Sequence, residues 1–78
     1  MKTLAFQHKG RILEGRLDRN HKSFVCYVWD GEKQASSVPY TMAQAEVEAA
    51  EARGDLARVL DAAMADVRSA VIKGRLEV

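Results

Sequence analysis

Cys26, His8 and His21 are the side chains best suited to nucleophilic or metal chemistry in this chain. A thiol nucleophile needs a base within hydrogen-bond reach and an electropositive, partly open setting. Cys26 instead falls between Val25 and Tyr27 in an apolar run, where a thiol is expected to act as a small core residue. A zinc site needs about four nitrogen, sulfur or carboxylate ligands, commonly in closely spaced pairs. One cysteine and two histidines thirteen positions apart supply no such pair. The carboxylates Glu46, Glu48, Glu51 and Asp55 fall on a polar helical stretch and are expected to be solvated. The five glycines (Gly10, Gly15, Gly31, Gly54, Gly74) are scattered singly, so no Gly-rich phosphate cradle is formed. The expectation is a protein without a catalytic site, metal or cofactor.

Lys9, Arg11, Arg16, Arg19 and Lys22 gather in the first third of the chain, with Tyr27 and Trp29 following. Basic side chains beside stacking aromatics are the working parts of single-strand nucleic-acid binders, and β-ribbons also enter duplex grooves. Residues 1–33 hold seven Lys/Arg against four Asp/Glu, and residues 34–78 hold five against seven, so one half is basic and the other acidic. The overall net charge is only +1 and the sequence pI about 7.9, below the range above about 9 usual for dedicated nucleic-acid domains. Tyr and Trp are also the types enriched at the centres of protein–protein interfaces.

These residues must be positioned by strands and helices that the periodicity locates. Residues 3–9 alternate as a strand with Leu4, Phe6 and His8 on one face, and Lys9-Gly10 reads as a tight hairpin turn. Residues 11–17 form a second strand, with Leu13, Gly15 and Leu17 on the core side and Ile12, Glu14 and Arg16 opposite. The polar cluster from Asp18 to Lys22 is expected to be a loop. Residues 23–29 are the strongest strand, and its apolar residues occupy both faces, Phe24, Cys26 and Val28 against Val25, Tyr27 and Trp29. Asp30-Gly31 signals a hairpin into a weaker fourth strand over residues 34–38, placed at an edge because Pro39 cannot donate to a ladder.

Thr41-Met42-Ala43-Gln44 fits a capping box opening a helix over residues 42–53, whose thin apolar stripe is Ala43, Val47 and Ala50. Gly54 suits a left-handed C-cap and Asp55 a new N-cap, so the helical region is either two helices or one bent helix. Leu56, Val59, Leu60, Ala63, Met64, Val67, Ala70 and Val71 then recur at steps of three and four, lining one face of a helix over residues 56–73 that Gly74 stops. The tail Arg75 to Val78 alternates like a short strand.

The resulting fold class is α+β, a three- to four-stranded antiparallel sheet packed against one or two C-terminal helices in a single domain of 78 residues. With 47% hydrophobic and 29% charged residues the chain is composed like a folded domain. A lone cysteine excludes an internal disulfide framework and fits a reducing compartment. No apolar run suits a secretory leader or a membrane span, so no membrane association and a cytoplasmic location are expected.

The function expected from these features is non-enzymatic macromolecular binding. A protein partner or host protein complex would be contacted through the sheet face and helix surface, as an inhibitor or adaptor. Phage and mobile-element inhibitors, anti-CRISPR proteins included, share this size and class, an analogy that supplies no residues. A nucleic-acid module using the basic hairpin, Tyr27 and Trp29 is the alternative. The second apolar face of residues 23–29 leaves room for the first helix, a partner protein or a second copy of the chain in a homodimer.

Overall fold

Two-residue turns join the first three strands, and each needs backbone in the left-handed region. Lys9 and Gly10 adopt φ of 51° and 75° in the first turn, and His21 adopts 57° in the second. The computed structural model describes residues 2–78. Strands β1 (Lys2–His8), β2 (Arg11–Asn20) and β3 (Ser23–Asp30) pair antiparallel in that order, with Phe6 opposite Leu13 and Leu17 opposite Cys26.

The polar cluster after Leu17 does not form a loop. Asp18, Arg19 and Asn20 continue β2 opposite Val25, Phe24 and Ser23, and only His21 and Lys22 turn. The ladder accepts these polar residues because all three side chains stay exposed there, and the Arg19 guanidinium lies 5.0 Å from the Phe24 ring centre.

The fourth strand expected over residues 34–38 is also broken up. Its turn residues are Gly31 and Glu32, and β4 is only Lys33–Gln34, opposite Asp30 and Trp29. Beyond it the Ala35 and Ser36 amides both donate to the Val28 carbonyl, at 2.8 and 3.2 Å. The Ser36 hydroxyl then accepts from the Val28 amide at 2.9 Å, so a buried side chain replaces the next ladder bond. The chain rejoins the same edge of β3 as β5 (Tyr40–Thr41), opposite Cys26 and Val25. Pro39 falls in the gap, where no ladder donor is required.

Helix α1 (Gln44–Arg53) starts two residues later than the capping box implied. Thr41 is held in β5 against Val25, so Ala43 becomes the N-cap and makes no side-chain cap, while the Gln44 amide donates to Glu48 at 3.0 Å. Gly54 ends α1 in the left-handed region (φ 76°), its amide donating to Glu51 and that of Asp55 to Ala50. Asp55 is the N-cap position of α2 (Leu56–Ile72), but its carboxylate faces Arg53 at 3.3 Å instead of a helix amide. The helical region is thus two helices. The tail is not a strand: Arg75 and Leu76 fold back to donate to the Ala70 carbonyl, and Leu76 and Val78 pack against the core.

Both helices lie on one face of the sheet. Met64, Val67 and Val71 of α2 pack on Phe6, Leu13, Leu17, Cys26 and Val28. Val47 of α1 joins Met42 and Ala63 against Phe24 and Tyr40. The tightest approach is at Gly15, where an added Cβ would meet Met64 Cε at 3.1 Å, Cys26 Sγ at 3.4 Å and Val67 Cγ1 at 3.6 Å.

Two substitutions test this packing by urea unfolding. Gly15→Val is expected to cost about 1–3 kcal/mol by overpacking, and Gly15→Ala less, because Met64 can shift its terminal methyl. Ser36→Ala is expected to cost about 1–3 kcal/mol, because the Val28 amide stays buried without its acceptor.

Candidate binding face

The alternation of a strand divides each residue run between the helix-covered face and the opposite one. Thr3, Ala5 and Gln7 of β1, Ile12, Glu14 and Arg16 of β2, and Val25, Tyr27 and Trp29 of β3 share the side away from both helices. The register sets them in rows: Ala5, Glu14 and Trp29 in one, Thr3, Arg16 and Tyr27 in the next. Neither helix covers this face.

Its centre is organised by Arg16. The guanidinium carbon lies 4.6 Å from the Trp29 ring centre, Nε donates to Glu14 Oε1 at 2.6 Å, and a second nitrogen donates to the Gly31 carbonyl at 3.2 Å. The cation shields the indole from water while Glu14 balances its charge. Ile12, on the same face, is 66% exposed. Beside it a shallow depression of about 630 Å³ is lined by Ala5, Ile12, Glu14, Arg16 and Gly31 among others. Arg16, Tyr27 and Trp29 are therefore brought together. Ile12, Val25 and Glu14 complete the patch, and the alternation that places Arg16 there places them too.

The other basic residues are dispersed. Lys9 and Lys22 occupy turns at opposite ends of the ten-residue β2, about 30 Å apart at the strand rise. Arg11 pairs with Asp30 at 3.0 Å at one end of the sheet. Arg19, on the helix-covered side with Phe24, reaches Glu51 at 3.5 Å. Arg11, Arg16 and Arg19 thus each meet a carboxylate, and among the described residues Lys9 and Lys22 meet none. Within the acidic stretch Glu48 accepts from Gln44, Glu51 meets Arg19 and Asp55 meets Arg53, while Glu46 meets no cation among the described residues.

Cys26 and the histidines do not converge. Cys26 is fully buried opposite Leu17, His8 closes the first turn beside Arg11, and His21 forms the second turn at the other end of β2. Burial pushes the Cys26 thiol up to about 11, with Asp18 adding to the rise and a backbone hydrogen bond from Arg16 opposing it. Among the described residues no three His, Cys, Asp or Glu side chains gather as a metal site would require, and no helix is long and apolar enough to cross a membrane. No family model matches the chain, and comparison with curated proteins and with solved structures finds no match.

The thiol carries a pH prediction. Its folded value lies above its ordinary 9.0, so the folded state holds the proton that the unfolded chain releases. The stability this contributes is present below about pH 9 and is lost as pH rises toward about 11. Cys26→Ala is expected to flatten the fall in stability over that window, although it also leaves a small cavity. At neutral pH, native Cys26 should react with iodoacetamide at least about a hundredfold more slowly than in urea, since two units of pKa remove that much thiolate.

Proposed function

We propose that this chain is a non-enzymatic binding protein that docks on a protein partner through the helix-free face of its sheet. The observation that carries the reading is the strip formed by Ile12, Val25, Tyr27 and Trp29, with Arg16 stacked on Trp29, on a face that neither helix covers. Tyr, Trp and Arg are the residue types that dominate binding energy at protein interfaces, and a flat sheet can bury them at the centre of a contact. The Arg16–Glu14 pair leaves the middle of the strip close to neutral, which suits a mixed protein surface better than a polyanion.

An inhibitor or adaptor role, in a reducing setting such as the cytoplasm, is compatible with the small α+β framework and the single buried thiol. The nucleic-acid alternative draws on Lys9, Arg11, Arg16, Arg19 and Lys22 and is less well supported, because these cations are spread over both ends and both faces of the sheet. Catalysis draws no support from Cys26, whose thiol is buried and protonated at neutral pH.

The test is capture from a host lysate with the full chain as bait, with and without nuclease. A partner retained after nuclease treatment, and bound roughly thirtyfold more weakly or worse by the Tyr27→Ala/Trp29→Ala double variant, is the expected result. Circular dichroism should show the variant folded, since both side chains lie outside the core that α2 covers. Capture that vanishes with nuclease favours the nucleic-acid alternative. Capture indifferent to the double variant removes the sheet face from the reading.

A further inference from the structure

Among the described residues β1 is the one long unpaired edge of the sheet, because β4 and β5 occupy the outer side of β3. His8 and Arg11 close a two-residue turn and so bond each other, which by the alternation of an antiparallel ladder turns the backbone of Phe6, Leu4 and Lys2 toward β2 as well. The N–H and C=O groups of Thr3, Ala5 and Gln7 consequently point outward, and all three residues are exposed. Natural edges are normally guarded by proline, a bulge or a charged side chain. The segment Thr3–Gln7 contains none of these, and the neighbouring Lys2 is drawn away to Asp61 of α2 at 2.6 Å.

Helix α2 runs beside this edge. Asp61 meets Lys2 at the start of β1, and Ile72 lines the same surface depression as His8 and Lys9 at its end. Asp61, Ala65, Arg68 and Ile72, spaced by three and four residues, form the flank of α2 on that side, and Ile72 is 50% exposed. Arg68 makes no ion pair among the described residues.

We infer that β1 is the dimerisation edge of this protein, pairing antiparallel with β1 of a second copy about a twofold axis near Ala5 and continuing the sheet across both. The occupant is a second copy because the edge and the helix flank are both self-complementary. A twofold at Ala5 sets Leu4 opposite the second copy's Phe6 on the helix side and Thr3 opposite its Gln7 on the other, matching apolar with apolar and polar with polar. The same axis runs the two α2 helices antiparallel, so that Asp61 of each faces Arg68 of the other, a pairing of opposite charges that an arbitrary extended peptide would not provide. Spacing fits as well. Helix α2 packs over both β1 and β2, which places it about 5 Å from such an axis given strands about 4.8 Å apart, and two copies then set their helices about 10 Å apart, close to normal helix packing. Ala65 lies where the two helices come nearest, and Ile72 gains cover. The assembly presents two Tyr27–Trp29 strips on one continuous helix-free face.

The experiment is sedimentation equilibrium of the full chain over micromolar to millimolar concentration, with amide hydrogen exchange read by NMR across the same range. A concentration-dependent dimer is expected, in which the Thr3, Ala5 and Gln7 amides pass from unprotected to protected as the dimer forms. Ala5→Pro removes an outward donor while sparing the bonds to β2 and is expected to weaken dimerisation at least tenfold. Ile72→Glu, on an exposed helix position, does so without touching β1 and serves as the second variant if Ala5→Pro fails to fold. A monomer at millimolar concentration overturns the inference, and so does a dimer whose Ala5 amide stays unprotected or which neither variant weakens. Because Tyr27 and Trp29 are untouched by these variants, failure here leaves docking through the sheet face standing, and loss of partner capture in the Tyr27→Ala/Trp29→Ala variant leaves the edge unaffected.

Discussion

The close approach of α2 to β2 at Gly15 is the constraint from which the rest of the architecture follows. A side chain at this position would stand between Met64 and the sheet, and its absence lets Met64, Val67 and Val71 reach Leu13, Leu17 and Cys26 directly. That contact takes the C-terminal part of the apolar stripe of α2, and Leu56, Val59 and Ala63 of the same stripe pack with Met42 and Val47. Helix α1 is joined to α2 through only Gly54 and Asp55, so it must remain beside it and on the same side of the sheet. Once α2 sits on Gly15, neither helix is free to cover the opposite face.

The consequence falls on β3, whose apolar residues occupy both of its faces. One set, Phe24, Cys26 and Val28, is absorbed by the helices, and the other, Val25, Tyr27 and Trp29, is left to solvent and to Arg16. A guanidinium stacked on an indole is a modest substitute for a protein layer, contributing about 0.5–1 kcal/mol at an exposed site. It keeps the strip soluble without burying it. The arrangement around Arg16 is an intramolecular shield in the free protein and, under the docking proposed above, a preformed anchor.

Much of this was legible in the residue pattern. Alternation in β1 and β2 sorted Leu13, Gly15 and Leu17 from Ile12, Glu14 and Arg16 correctly, and the steps of three and four from Leu56 to Val71 identified the helix face that meets them. What the pattern missed was decided by tertiary bonds between distant segments. Asp18, Arg19 and Asn20 are loop-forming in isolation, yet they lie in β2 because Val25, Phe24 and Ser23 offer them a ladder. The edge of β3 is split because the Ser36 hydroxyl takes one amide of that ladder, an exchange that no local propensity signals. Thr41 would cap a helix were it not already paired with Val25. The basic residues looked like one cluster in sequence because three lie within β2 and the others in its two flanking turns, but a strand carries such residues to opposite ends and alternate faces.

The helix-free face and the bare β1 edge both follow from where the helices and the short strands go. A sheet has two faces and two edges, and the described residues place two helices, two short strand fragments and a tail against it. The helices take one face, and the fragments Lys33–Gln34 and Tyr40–Thr41 take the outer side of β3. Tyr40 ties the second fragment to α2 through Asp66 at 3.3 Å, so even this cover depends on the helix that Gly15 admits. Among the described residues no element covers the second face or pairs with the outer side of β1. Under the docking and pairing proposed above, the face calls for side chains that fit around Tyr27 and Trp29, and the edge for an extended backbone beside a helix flank that answers Asp61 and Arg68. A second copy of the same chain supplies both of the edge's requirements at once, which is why the edge suits self-association and the face a different protein.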